Sequence, residues 1–570
     1  GLNYPSYRLF LGIEYGRAGR FQPAEPVQAW APRVLEATHY GPVCPSTSYD
    51  SSLEEDMHMR PKSVLSRKAN DFWQVNESCL YVNIYAPVVA EVDHGSLPVL
   101  VWFHGGSFIA GAGSDITSED VSVLMLRGIV VVTVNSRLGA FGFLLNKALH
   151  GSKAAELANL GFSDQRLALE FVAQHIGAFG GNPQRVTIMG WSSGASSVSA
   201  HLSMRKSQGL FHAAIMQSGG YAAWYVSKAS AGAAFISLAD CLGCTKPEQR
   251  GKCIEDVSTV DIVRCQRLVG DHSFAPVVDG VHFLYKSPAD AIEKGWMQTD
   301  IPVIIGSAEY DGLSDFGLDA TRAALHAYIS SCFPDNETAV NEAFNMYDPR
   351  QSAAPRLGWS ASYWALRAIS ADKSLTCVAR RVARRWARDG RAPAFWYQWS
   401  YDAPYGDQVL QAMARKDREN LGRAEESASF TENAKVPSHS YCWPCPGAGH
   451  GSEMPFLFRD TRAVKKKAQL EKFLKVPHLG ATVPVDALIG EGLADAIQEL
   501  WVHFVKNHSL SGLRKMTSSG TPLPEWRSVR LQEPGAGPAL VVEGAGLLSP
   551  LVDAYKAEEC NFWDAALPQC

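Results

Sequence analysis

The sequence predicts an α/β fold: a large central, mostly parallel and twisted sheet with helices on its faces. Short, strongly apolar, β-branched runs recur along the chain, bounded by Gly, Asn or Pro. Longer stretches with apolar residues at three- and four-residue spacing lie between them, and no internal repeat or low-complexity block breaks the alternation. The runs are Leu97–Phe103, Val130–Val134, Val186–Met189, Ala213–Gln217 and Pro302–Gly306, and strands buried on both faces of a parallel sheet read this way. Asp164–His175 represents the helical stretches.

Composition permits a large core and excludes several classes of function. The 570 residues are 46% hydrophobic, 10% aromatic and 19% charged, which is ordinary for a globular chain. With 53 Lys and Arg against 58 Asp and Glu, the formal charge is −5, so no basic excess exists to grip a nucleic-acid backbone. The longest apolar run, Gly128–Val134, falls far short of the roughly 20 residues that span a bilayer, so a soluble chain without a transmembrane segment is expected. Gly1-Leu2-Asn3, with no Met and no leader, fits a mature or trimmed chain. Twelve cysteines and three sequons, at Asn76, Asn336 and Asn507, point to an oxidising secretory compartment and a glycosylated chain, secreted or lumenal.

Two regions stand apart. Asp407–Val436 (407–436) is polar, with Arg415, Lys416, Asp417, Arg418 and Glu419 in succession, and reads as a surface insertion. Arg380–Arg388 carries five arginines; a basic helix face shielding carboxylates is expected there rather than a polyanion site.

The chemistry centres on Gly190-Trp191-Ser192-Ser193-Gly194, a match to G-x-S-x-G. The motif alone is weak, but a strand, Arg185–Met189, precedes it and a helix-capable run, Ala195–Met204, follows. That is the strand–elbow–helix setting in which a serine hydroxyl stands exposed as a nucleophile beside a helix N-terminus. The backbone N–H of Ser193 is then the nearest oxyanion donor. Upstream, His104-Gly105-Gly106-Ser107-Phe108 follows a second strand and can aim further N–H groups at a developing oxyanion. A base and an orienter should follow in the order acid, then histidine. Gly449-His450-Gly451 offers the histidine in a small-residue loop, and Ser307-Ala308-Glu309-Tyr310-Asp311-Gly312 offers two carboxylates at a strand's carboxyl end. Spacing does not choose between Glu309 and Asp311.

These residues, with others spread from about Arg8 to the C-terminus, resemble the cholinesterase/carboxylesterase (type B) family of α/β-hydrolases. The matching segments include Gly12-Ile13-Glu14-Tyr15, Glu77-Ser78-Cys79-Leu80-Tyr81-Val82-Asn83 and Asn135-Ser136-Arg137-Leu138-Gly139. Asn159-Leu160-Gly161 with Asp164-Gln165, Gln217-Ser218-Gly219 and Cys560-Asn561-Phe562-Trp563 continue the match. The resemblance implies one large catalytic domain over residues 1–570, the α/β-hydrolase fold, and ester hydrolysis through an acyl-enzyme without metal or organic cofactor. It places the acid at Asp311, where relatives usually carry Glu, with Glu309 as fallback. It implies oxyanion donors at Gly106, Ser107 and Ser193, and disulfides Cys44–Cys79, Cys244–Cys253 and Cys377–Cys560. Cys241, Cys265, Cys332, Cys442, Cys445 and Cys570 stay unassigned, since six thiols allow fifteen pairings.

Departures from the family shape the expected activity. Trp191 stands before the nucleophile, where relatives carry Glu or Gln. Ala69 takes the place of the aromatic ring that stacks on choline in cholinesterases, with Phe72 and Trp73 nearby. A carboxylesterase acting on small-molecule esters is expected rather than a strict choline esterase. A silent binding or adhesion member of the family is the alternative, as is a triad used for acyl transfer or for lactones and thioesters. A homodimer, linked through the terminal Cys570, is a further expectation.

Overall fold

The computed structural model describes residues 1–28, 34–47, 58–59, 73–88, 96–118, 120–145, 158–221, 224–280, 287–312, 316, 319–349, 360–389, 391–401, 448–458, 491–513, 516–517, 523–524, 526–529, 539–542, 548–552 and 556–566. The polar segment 407–436, Ala69, Phe72, Cys442, Cys445 and Cys570 lie outside them. The chain divides into two compact units, Gly1–Val303 with Trp501–Leu510, and Ile304–Leu500 with Ser511–Cys570.

The first unit is built on strands β1 (Leu2–Asn3), β2 (Tyr7–Glu14), β3 (Tyr81–Pro87), β4 (Leu97–Phe103), β5 (Val130–Val134), β6 (Gly181–Trp191) and β7 (Ala213–Gln217), in the order β1-β2-β3-β5-β4-β6-β7. The ladders from β5 through β4 and β6 to β7 are parallel, and those from β1 through β2 and β3 to β5 are antiparallel. Every residue of β5 and β7 is buried, as expected of strands covered on both faces. Where β2 and β3 slip register between Phe10 and Ile13, Gly12 takes φ 67° and its N–H donates to Asn83 Oδ1 at 3.0 Å. That side chain gives the Gly12 amide an acceptor where the bulge interrupts the ladder.

Helices α1 (Leu160–His175) and α2 (Ser193–Ser203) follow the predicted helical stretches. Arg137, just past β5, is fixed to α1 by a bidentate pair with Asp164, Nε–Oδ2 2.8 Å and Nη2–Oδ1 2.6 Å, both side chains buried. Removing either partner would strand a buried charge, a loss of about 3–5 kcal/mol.

Behind α2 lies a neutral polar network. His201 is fully buried, its Nδ1 3.0 Å from Ser207 Oγ and its Nε2 3.2 Å from Gln165 Oε1. A carbonyl oxygen can only accept, so Nε2 carries the proton and Nδ1 accepts from the serine. Gln165 Nε2 in turn reaches Ser136 Oγ and Ser197 Oγ, and Ser197 donates to the Ser193 carbonyl. Burial, helped by Arg166, pushes His201 down to about 3.

Helices α3 (Lys228–Cys241) and α4 (Thr259–Val269) pack through Phe235, Leu238, Ile262 and Val263 into a separate core. Two nested disulfides lock it: Cys244–Cys253, and Cys241–Cys265, which pairs two of the cysteines left unassigned. Cys44–Cys79 closes a loop nearer the N-terminus.

In the second unit β8 (Val303–Ala308), β9 (Ala394–Trp399), β10 (Ala539–Val542) and β11 (Leu548–Val552) lie in that order, β9 parallel and β11 antiparallel to β10. Helices α5 (Ala361–Ala371) and α6 (Cys377–Asp389) are joined by a widened π-helical turn, Asp372–Thr376. The arginines of α6 do meet carboxylates: Arg381 reaches Asp564 at 3.3 Å and Arg385 reaches Asp389 at 3.9 Å. Cys377–Cys560 ties α6 to the last helix, α7 (Ala557–Ala566), where Lys556 Nζ pairs with buried Asp372 at 2.9 Å. Cys332 is buried with Lys373 Nζ 3.3 Å from its sulfur. Among the described residues no helix is long and apolar enough to cross a membrane.

Two measurements check this architecture. Non-reducing peptide mapping should recover Cys241 linked to Cys265; replacing both by Ser should cost about 3 kcal/mol in denaturant unfolding, the loop entropy of a 24-residue separation. The second concerns His201, whose folded value lies below the ordinary 6.5, so the unfolded chain binds the extra proton. Its stabilisation is complete above about pH 6.5 and is lost as pH falls towards 3, with His508, lowered to about 4, acting in the same direction. Between pH 6.5 and 5 the loss should approach about 1.4 kcal/mol per pH unit per histidine, and His201→Gln should flatten it. Parallel profiles for the two proteins would rule out a neutral buried imidazole.

Candidate active site

Ser192 and the glycine loop after β4 belong to the first unit, and Asp311 and His450 to the second. At the junction of β6 and α2, Ser192 adopts φ 58° and ψ −127°, a conformation that L-residues rarely hold. It is held on both sides: its N–H donates to Gln217 O at 2.9 Å, and its carbonyl accepts the Ser196 N–H at 3.1 Å, opening the helix. The flanking glycines are required by space. A Cβ on Gly190 would overlap the Gly194 backbone, and one on Gly194 would overlap the Phe103 carbonyl at the end of β4. Ser192 is 5% exposed, and the Ser193 amide lies in the first turn of α2, where backbone N–H groups have no intrahelical acceptor.

The loop after β4 runs beside this elbow. A Cβ on Gly105 would stand 2.8 Å from the Trp191 ring and 3.1 Å from Ser192 Cβ, so the loop backbone lies directly on Trp191, the neighbour of Ser192. Gly106, Ser107 and Phe108 all take positive φ, at 114°, 55° and 63°. Three successive left-handed residues, two of them not glycine, mark a strained turn of the kind found at functional sites. The turn is closed by Ile109 and Ala110 N–H groups donating to Gly106 O, each at 3.0 Å. His104 packs its Nδ1 2.8 Å from Gly105 O, and burial lowers its pKa below the ordinary histidine value.

In the second unit β8 ends in the acidic loop. Asp311 is fully buried; its Oδ2 accepts the Ala308 N–H at 2.8 Å and its Oδ1 lies 2.5 Å from His450 Nδ1. Of the two carboxylates in this loop it is therefore Asp311 that meets the histidine, and the shorter side chain does reach. The His450 loop is laid against the acid's loop by backbone bonding: Tyr310 N–H donates to Ala448 O at 2.9 Å, and Tyr310 pairs with Gly449 as an isolated bridge. Glu309 turns its N–H to Trp399 O on β9. Arg367 on α5 holds the other side of the loop, Nη2 donating to Tyr310 O at 2.6 Å. Neither spacing nor motif singled out Arg367; a guanidinium serving one backbone carbonyl leaves no trace in a sequence pattern.

The first unit provides a serine on a strained elbow with a helix N-terminus beneath it, and the second a carboxylate-oriented imidazole. Among the described residues no three His, Cys, Asp or Glu side chains group as metal ligands. The sequons lie on the surface or at its edge: Asn76 and Asn507 are exposed, and half-buried Asn336 caps Glu337–Met346, its Oδ1 accepting the Ala339 N–H.

Known proteins are similar to this chain in sequence. The chain is 35% identical over 322 residues to para-nitrobenzyl esterase of Bacillus subtilis (strain 168), covering 54% of this chain and 60% of that protein. It is 34% identical over 367 residues to the neuroligin-like protein glit-1 of Caenorhabditis elegans, covering 59% of this chain and 47% of that protein. Cocaine esterase of Homo sapiens matches at 27% identity over 591 residues, covering 99% of this chain and 88% of that protein. The model of the carboxylesterase family matches residues 1–563, and with the elbow, the glycine loop and the acid–histidine contact in place, the chain belongs to the carboxylesterase family.

Proposed function

We propose that the chain is a serine hydrolase that cleaves carboxylic esters of small molecules through an acyl-enzyme. The observation that carries this reading is the backbone of Ser192, held at φ 58° and ψ −127° between β6 and α2. The Asp311–His450 contact and the relatives named as esterases support it. His450 takes the Ser192 proton as the hydroxyl attacks the ester carbonyl, while Asp311 fixes the imidazole tautomer and stabilises its cation. Backbone N–H groups of Gly106, Ser107 and Ser193 hold the oxyanion, donors of a kind worth about 2.7–4 kcal/mol each. His450 then protonates the departing alcohol, and water clears the acyl group by the same route.

Four disulfides among the described residues, with the sequons at Asn76, Asn336 and Asn507, support glycosylation and residence in the secretory lumen or outside the cell. The neuroligin-like relative supports a second reading, a family member without ester turnover.

A reactive fluorophosphonate should add once to the protein by intact mass and abolish nitrophenyl ester hydrolysis, and Ser192→Ala should take up none. Asp311→Asn should lower kcat by about four orders of magnitude through loss of the working tautomer. No adduct and no turnover in folded, disulfide-intact protein would sink the esterase reading in favour of the second.

A further inference from the structure

Tyr221 carries two costs at once. Its backbone lies in the left-handed region at φ 64°, unusual for an aromatic residue. Its side chain is 1% exposed, yet its hydroxyl has no hydrogen-bond partner among the described residues. Buried polar atoms are nearly always paired, and strained backbone concentrates where a ligand is met, so an orphan hydroxyl on a strained residue calls for a reason.

Its position supplies one. The turn after β7 runs past the nucleophile: Gln217 O accepts the Ser192 N–H, and a Cβ on Gly219 would overlap the Ser192 carbonyl. Two residues on, Tyr221 N–H donates to Ser199 Oγ of α2 at 3.3 Å. The neighbouring phenol, Tyr225, is already engaged, 3.1 Å from both the Ser196 carbonyl and Ser196 Oγ in the first turn of α2. Burial raises Tyr225 to about 12 and drives Tyr221 well above the usual tyrosine range, so both stay protonated. Tyr221 is thus a neutral donor with its O–H unspent, on the turn that touches Ser192.

We propose that Tyr221 is a substrate-binding residue whose phenol donates to an ether or ketone oxygen of the ester other than the scissile carbonyl, selecting oxygen-bearing esters over hydrocarbon ones. The proposal rests on Ser192 as the nucleophile. The acceptor can sit in the acyl half or in the alcohol half, and the test separates the two.

Ser192→Ala protein should hold intact ester, so calorimetry reads binding without turnover. The acyl arm compares methyl 4-oxopentanoate with methyl pentanoate, and the alcohol arm compares 2-methoxyethyl butyrate with butyl butyrate. Adding Tyr221→Phe should weaken the oxygenated ester of one arm by about tenfold, the weight of one good hydrogen bond, and leave both hydrocarbon esters unchanged. In the parent chain Tyr221→Phe should melt no lower than wild type, since it removes an unpaired hydroxyl. Equal weakening of oxygenated and hydrocarbon esters, no change in either arm, or no binding by any of the four overturns the proposal. Persistent hydrolysis by Ser192→Ala would instead overturn the nucleophile assignment, leaving the binding comparison to stand by itself.

Discussion

The first unit turns on one constraint: a serine must be held in a left-handed conformation between a buried strand and a helix. Everything nearby accommodates that choice. β6 must deliver the chain with its carbonyls already paired, or the strain at Ser192 would be relieved by fraying, and both its neighbours, β4 and β7, are parallel strands bonded along its end. Gly190 and Gly194 are not interchangeable with alanine because backbone atoms, not yielding side chains, occupy the space a Cβ would need. The turn after β7 is drawn in by the same geometry, since Ser192 N–H finds its acceptor there. Strain at one residue is thus distributed over three strand ends and one helix, which over-determine it.

A strained elbow is useful only if the helix behind it cannot shift. Apolar packing alone is tolerant of small translations, whereas hydrogen-bond geometry is not. The chain His201–Gln165–Ser197 links the body of α2 to α1 and to the Ser193 carbonyl, one residue from Ser192. Arg137 fixes the start of α1 in turn through Asp164. In the second unit a comparable duty falls on backbone bonds: Ala308 orients one oxygen of Asp311, and Tyr310 binds the histidine loop.

Much of this was legible in the sequence, for physical reasons that can be named. Runs such as Val130–Val134 are strands because β-branched residues without polar alternation can only be satisfied in a sheet covered on both faces, and the structure buries all five. The elbow was legible because its glycines are forced by close approach. Strands β2 and β3 were not read from hydrophobic pattern, since β2 alternates in burial and β3 carries a buried polar residue, Asn83, whose partner is a bulge elsewhere in the chain. Choosing between Glu309 and Asp311 needed the family resemblance, because spacing along a loop does not say which carboxylate turns back towards its own strand. The Cys241–Cys265 pair was out of reach for a similar reason: six thiols carry no mark of which helices will pack together. Tyr221 shows the limit most plainly, since its interest lies in a bond that is missing, and sequence patterns record bonds that are made.

The distribution of charge completes the picture. Around Ser192 the first unit holds side chains that are neutral at working pH: buried Trp191, Tyr221 and the His201 imidazole held in one tautomer, and the half-buried phenol of Tyr225. Arg137 and Asp164, both buried, neutralise one another. Before Ser192 this chain places an indole, Trp191, so no fixed negative side chain at that position would oppose the oxyanion of the proposed reaction. The first turn of α2 and the amides of the strained loop are dipoles already oriented beside Ser192. Such dipoles need no reorganisation when charge develops, and in a water-poor site they act at low dielectric, where they are strongest.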